Sequence, residues 1–147
     1  MTPDVRQWLE KAEGDWHTAN RELRARKCPN YDATCFHAQQ AAEKYMKGSL
    51  LQHNASFPRT HDLAALLDLL RTLRNDWELL RADVILLTQY AVFFRYPGRW
   101  ADKSRAQAAV AACKRVRAHA RIVLRVSSGV HPRFQKKPRR SHTSRKK

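Results

Sequence analysis

The stretch HAQQAAEKYMKG, His37 to Gly48, decides how the chain is read. Its residue types suit a helix, and at about 100° per residue the polar ones sort onto one side. His37, Gln40, Lys44 and Lys47 are spaced by three, four and three, so they share a narrow face. Glu43 borders that face and can pair with Lys47 one turn on. Cys35, Ala38, Ala42, Tyr45 and Met46 fall on the other side. The stretch therefore predicts a helix with an apolar face for a core and an opposite ladder of donors, mostly cationic. That ladder is either a solvated face with small gains from neighbouring charges or a site that holds something.

Outward from this stretch the pattern stays helical. Val5, Trp8, Leu9, Ala12, Trp16, Ala19 and Leu23 step by three and four, predicting a helix over 4–26. Cys28-Pro29-Asn30 ends it, and the quoted stretch lies in a second helix over 32–53. A loop containing Pro58 follows. Thr60 then reads as an N-cap, with Asp62 in the first turn near the positive helix end. Leu63, Leu66, Leu67, Leu70 and Leu73 form a third stripe. Asp76 opens a fourth helix to Phe94, whose half VILLTQYAVFF is apolar nearly all round and is expected to be the most buried. Arg95-Tyr96-Pro97 ends it, since the residue before proline is biased away from helix. A fifth helix spans 102–126. No stretch reads as a strand, so the expected fold is all-α, an antiparallel up-and-down bundle of four to five helices.

At 147 residues the chain can bury one sizeable core, expected over 1–126. The net charge is +16, with a pI near 10.6. Residues 127–147 hold eight of the 29 Lys/Arg and none of the 13 Asp/Glu. This low-complexity basic tail reads as disordered, either solubilising or conferring salt-dependent nucleic-acid affinity. Cys28, Cys35 and Cys113 lack a metal-ligand spacing and read as free thiols, so no metal or other cofactor is expected. The start has no apolar signal region, and the run Val84 to Phe94 is too short to span a bilayer. A cytoplasmic chain with no membrane contact is expected.

Three places could carry chemistry. The ladder is one. The second is Arg59-Thr60-His61-Asp62, where a helix start offers N–H groups to an anion and His61 adds a donor; an ordinary capped helix start is the plainer reading. The third is Arg95-Tyr96, where a guanidinium could hold a phosphate bidentately while the ring stacks a base. Arg95 could equally cap the last carbonyls of the fourth helix.

Together these residues resemble the HEPN domain family, over about residues 4–126. The resemblance rests on Phe36, Gln39, Gln40, Ala41, Glu43, Lys44 and Lys47, then His61-Asp62-Leu63, then Arg95-Tyr96-Pro97, with Trp8, Ala12, Asp15 and Ala19 fitting before them. It implies a four-to-five-helix bundle, often a homodimer, and a connection to nucleotides or RNA. It also implies pairing with a minimal nucleotidyltransferase in a toxin–antitoxin-like system. The expected binding residues are Gln40, Lys44, Lys47, His61, Arg95 and Tyr96, supported by His37, Glu43 and Asp62. Some family members are metal-independent ribonucleases that use Arg-x4-6-His. After Arg95 the positions for that histidine are Trp100, Ala101 and Asp102. One formal match, Arg125 to His131, straddles the last helix and the tail, where nothing fixes its geometry. The first expectation is thus a non-catalytic nucleotide- or RNA-phosphate-binding module. A ribonuclease toxin is the second. A purely structural dimerisation bundle, with Gln40, Glu43 and Lys44 satisfying one another across two copies, is the third.

Overall fold

In a computed structural model of the chain, residues 1–125 are described. Five α-helices account for most of them: α1 Pro3–Arg24, α2 Tyr31–Gln52, α3 Leu63–Leu73, α4 Arg81–Phe93 and α5 Lys103–Val123. A 3-10 segment, Asn75–Leu80, joins α3 to α4. Among the described residues there is no strand, and the fold is the expected all-α bundle.

The helix starts follow side-chain chemistry. Thr2 accepts the Val5 N–H at 3.3 Å and Pro3 occupies the first turn of α1. Asn30 caps α2 through Ala33 N, and Asp102 caps α5 through Arg105 N at 2.8 Å. The cap of α3 is Asp62, not Thr60. The Asp62 carboxylate accepts from Ala64 N and Ala65 N, while Thr60 Oγ1 accepts from Asp62 N and shapes the turn before it. The fourth helix likewise starts later than Asp76. Asn75–Leu80 winds as a 3-10 turn, with Arg74 held on Asp76 and Trp77 fully buried.

Cross-links give the topology. Asp15 meets His37 and Glu13 meets Tyr45, so α2 runs back along α1. Gly48 lets the two helices close: a Cβ there would stand 3.3 Å from Trp8 Cβ. Asp32 accepts the Ala101 N–H and Tyr45 meets Arg117, so α5 runs parallel to α2. Arg115 on Asp83, with His119 beside Asp76, ties α5 to α4 and the turn before it in the opposite sense.

The expectation for the apolar fourth helix is overturned. Only Val84 and Leu87 of α4 are buried, while Ile85, Val92 and Phe93 are exposed. The buried helix is α2, which packs against α1, α3, α4 and α5 and is covered from Thr34 to Leu50 save for four positions. An outer helix buries one face whatever its composition; a central helix buries its polar side chains too, provided others satisfy them.

Glu13 shows how that is done. It lies in the interior, 1% exposed, and accepts from Tyr45 Oη at 2.7 Å, Arg117 Nε and Nη2 at 3.0 Å each, and Arg121 Nη1 at 3.2 Å. Burial pushes its carboxyl up, but the Arg117 and Tyr45 hydrogen bonds and the arginine charges outweigh burial, holding it below the usual glutamate range. The same surroundings push the Tyr45 hydroxyl up. One carboxylate thus clamps α1, α2 and α5.

The three cysteines are free. Cys28 is exposed in the α1–α2 turn with φ 45°, whereas Cys35 and Cys113 are buried. Burial, aided by Asp32 and Asp102, pushes the Cys35 thiol up to about 12, and burial pushes Cys113 up as well.

Candidate functional site

The ladder of α2 is not a free solvated face. It divides between two carboxylates. Asp15 of α1 takes two of its members: His37 Nδ1 lies 2.8 Å from Asp15 Oδ1, and the Lys44 ammonium pairs with Asp15 Oδ2. Glu43 takes the next: Lys47 Nζ donates to Glu43 Oε1 at 2.8 Å, the i,i+4 pair expected from spacing. Lys47 is buried, with Trp8 and Phe57 rings at 5.6 and 5.5 Å from its nitrogen. Gln39 donates to Glu43 Oε2, and Gln40 donates to Gln39 Oε1 at 2.8 Å.

His61 completes the second cluster. Its Nδ1 sits 3.1 Å from Glu43 Oε2, while its side chain is 84% exposed. Gln39 also reaches the His61 carbonyl at 3.4 Å, and Phe57 packs edge-on against Trp8. The loop between α2 and α3 is therefore fastened to α2 around Glu43. Burial pushes the Glu43 carboxyl up, yet hydrogen bonds from Lys47, His61 and Gln39 bring it below the usual range.

Arg95 stands at the end of α4. It makes no cap on that helix through its side chain; its guanidinium lies 5.8 Å from the Phe36 ring centre, and the Phe36 ring meets His37 at 5.2 Å. Arg95, Phe36, His37, Asp15 and Lys44 thus form one continuous run of side chains from the α4 corner to the α1–α2 groove. Lys44 lines a cleft of about 630 Å³ there, with Trp8, Gln7 and Lys11. Arg95 has no carboxylate partner among the described residues, and Tyr96 beside it is exposed.

The structure therefore gathers His37, Lys44 and Arg95 on one run, and Glu43, Lys47 and His61 on another, with Gln40 linked through Gln39. Asp62 is spent on the α3 cap. Arg125 is exposed at φ 53° just past α5, and His131 lies outside the described residues, as does the tail. Two partners were not singled out as site residues. Asp15 and Phe36 hold the run together, and Trp8 and Asp15, seven apart on α1, carried the signal: both turn toward α2. Gln40, Glu43 and Lys44 find partners inside the chain, so a second copy is not needed to satisfy them. Among the described residues no group of three or more His, Cys, Asp or Glu is placed to hold a metal ion, and no helix is long and apolar enough to cross a membrane.

A helical bundle whose central helix carries a seam of paired charges, ending at an exposed arginine, defines a class of small all-α domains. The comparison with family models is specific: the HEPN domain model matches residues 5–123, and the chain belongs to that family. Among solved structures it is similar to TT1696 from Thermus thermophilus, at 26% identity and a TM-score of 0.67, over 83% of this chain and 99% of that one. No curated protein matches the sequence.

Proposed function

We propose that the chain is a non-catalytic HEPN module that binds a nucleotide or RNA phosphate and acts with a small nucleotidyltransferase in a toxin–antitoxin-like pair. One observation carries the binding: Arg95 is an exposed guanidinium with no carboxylate partner among the described residues, in contact with the Phe36 ring and next to Tyr96 in the chain. A planar fork of donors suits phosphate, and an exposed ring beside it suits a base. Lys44 and His37 extend the run, already balanced by Asp15, so they tune the site rather than supply its free charge. Lys47 and Glu43 hold the scaffold, and His61 and Gln40 stand at its edge.

Calorimetric titration with ATP, AMP and short RNA tests this. Binding should fall about tenfold or more in Arg95→Ala and less in Lys44→Ala. No binding by the wild type, or undiminished binding in the variant that combines Arg95→Ala with Lys44→Ala, sinks it. Co-purification with a nucleotidyltransferase encoded beside it tests the pairing separately.

A second reading, a metal-independent ribonuclease, draws on His37: Asp15 orients its ring through Nδ1, and only Phe36 stands between it and Arg95. RNA cleaved without metal by the wild type and spared by His37→Ala would favour this over the binding module.

A further inference from the structure

The helix α4 turns an apolar face outward. Single exposed hydrophobics are ordinary, but these converge: Val92 and Phe93, 52% and 44% exposed, border one groove of about 610 Å³ between the end of α4 and the start of α5. Its floor is aromatic. Tyr90 packs on Phe94 at 5.6 Å, and Phe94 meets Phe93 nearly at right angles at 5.1 Å. Its rim is cationic. The Arg99 guanidinium lies 4.3 Å from the Phe93 ring centre, and Arg105 stands beside it with Asp102 as its partner at 2.8 Å. No carboxylate lines the groove, and Arg99 has no carboxylate partner among the described residues.

We propose that this groove docks a segment of another protein that presents apolar side chains flanked by aspartate or glutamate. Charge selects this occupant. A second copy would bring the Arg99 and Arg105 rim against a chain of net charge +16, a like-charge juxtaposition that costs affinity and slows encounter. A nucleic-acid strand would need a row of open ring faces, but Arg99 covers Phe93 and Tyr90 packs on Phe94, which leaves Tyr96 of the lining rings, too few for successive bases to stack. Apolar side chains fill the floor and carboxylates meet the guanidiniums. Tyr96 lines this groove and also stands beside Arg95, so the two readings are told apart at Phe93 and Arg99, which the phosphate site does not use.

Fluorescence anisotropy decides it with two synthetic amphipathic helices that share the same apolar residues, one flanked by glutamates and one by lysines. The glutamate helix should bind the full chain at low salt, weaken as salt rises, and lose about tenfold in Phe93→Ala and in Arg99→Glu. The lysine helix should not bind. Both substitutions sit at exposed positions, and circular dichroism should show the bundle intact. Equal binding of both helices, or of neither, overturns the proposal. So does self-association in ultracentrifugation that Val92→Asp abolishes, or single-stranded RNA binding that Phe93→Ala and Arg99→Glu weaken. Nucleotide binding at Arg95 is read in the same variants and should stay unchanged.

Discussion

Glu13 and Glu43 are both buried carboxylates on helices, each held by basic side chains, yet they serve different ends. Glu13 draws Tyr45 from α2, Arg117 and Arg121 from α5 and His17 from its own helix, and none of those partners is mainly in water. Glu43 draws Lys47 from its own helix and His61 from a loop, and His61 stands almost wholly outside. A closed cluster can only hold helices together. An open one can also release what it fastens. The contrast teaches that burial of a carboxylate says little about its role until the exposure of its partners is known.

The contrast can be broken most easily at Glu13. Glu13→Ala removes the buried carboxylate on which the half-buried Arg117 is held and should cost about 3–5 kcal/mol in urea unfolding. A loss under about 1 kcal/mol would place Glu13 with surface pairs. Glu43→Ala should cost less, about 2 kcal/mol, because Lys47 lies beside a loop that can let water in.

Acid sharpens the comparison further. Both carboxyls sit below the usual glutamate range in the fold, so their stabilisation is full above the ordinary value of about 4.3 and drains as pH falls through the depressed ones. Melting temperature should therefore hold from neutral to about pH 4.3 and fall below it toward about pH 3, and Glu13→Gln should flatten the drop more than Glu43→Gln.

The smallest effect on global stability belongs to His61→Ala, about 0.5 kcal/mol. Its signature is local: amides of residues 56–62 should exchange faster while those of α2 hold. Unchanged loop exchange would mean that Phe57 and Gln39, not His61, fasten the loop.

Much of this was legible in sequence. The stepping of Val5, Leu9 and Ala12, and the leucines from Leu63 to Leu70, marked helices whose bounds moved by only a few residues. The Glu43–Lys47 pair followed from spacing alone. What failed was depth. Periodicity marks which residues share a face, but which helix sits in the middle is a property of the assembly of all five. The polar α2 is central because Asp15, Tyr45, Arg117 and His61 satisfy each other's helices from far along the chain, while the apolar α4 lies outside. The candidate site suffered the same way: the ladder was visible, but its consumption by Asp15 needed α1 to be placed against it.

The cysteines carry a practical consequence. Cys35 and Cys113 are sealed in the core with thiols held in their unreactive protonated form, while Cys28 stands in the open turn between α1 and α2. The natural sequence thus already carries a single addressable labelling position. A maleimide dye should attach once, at Cys28, and report docking or RNA retention by energy transfer without any engineered cysteine.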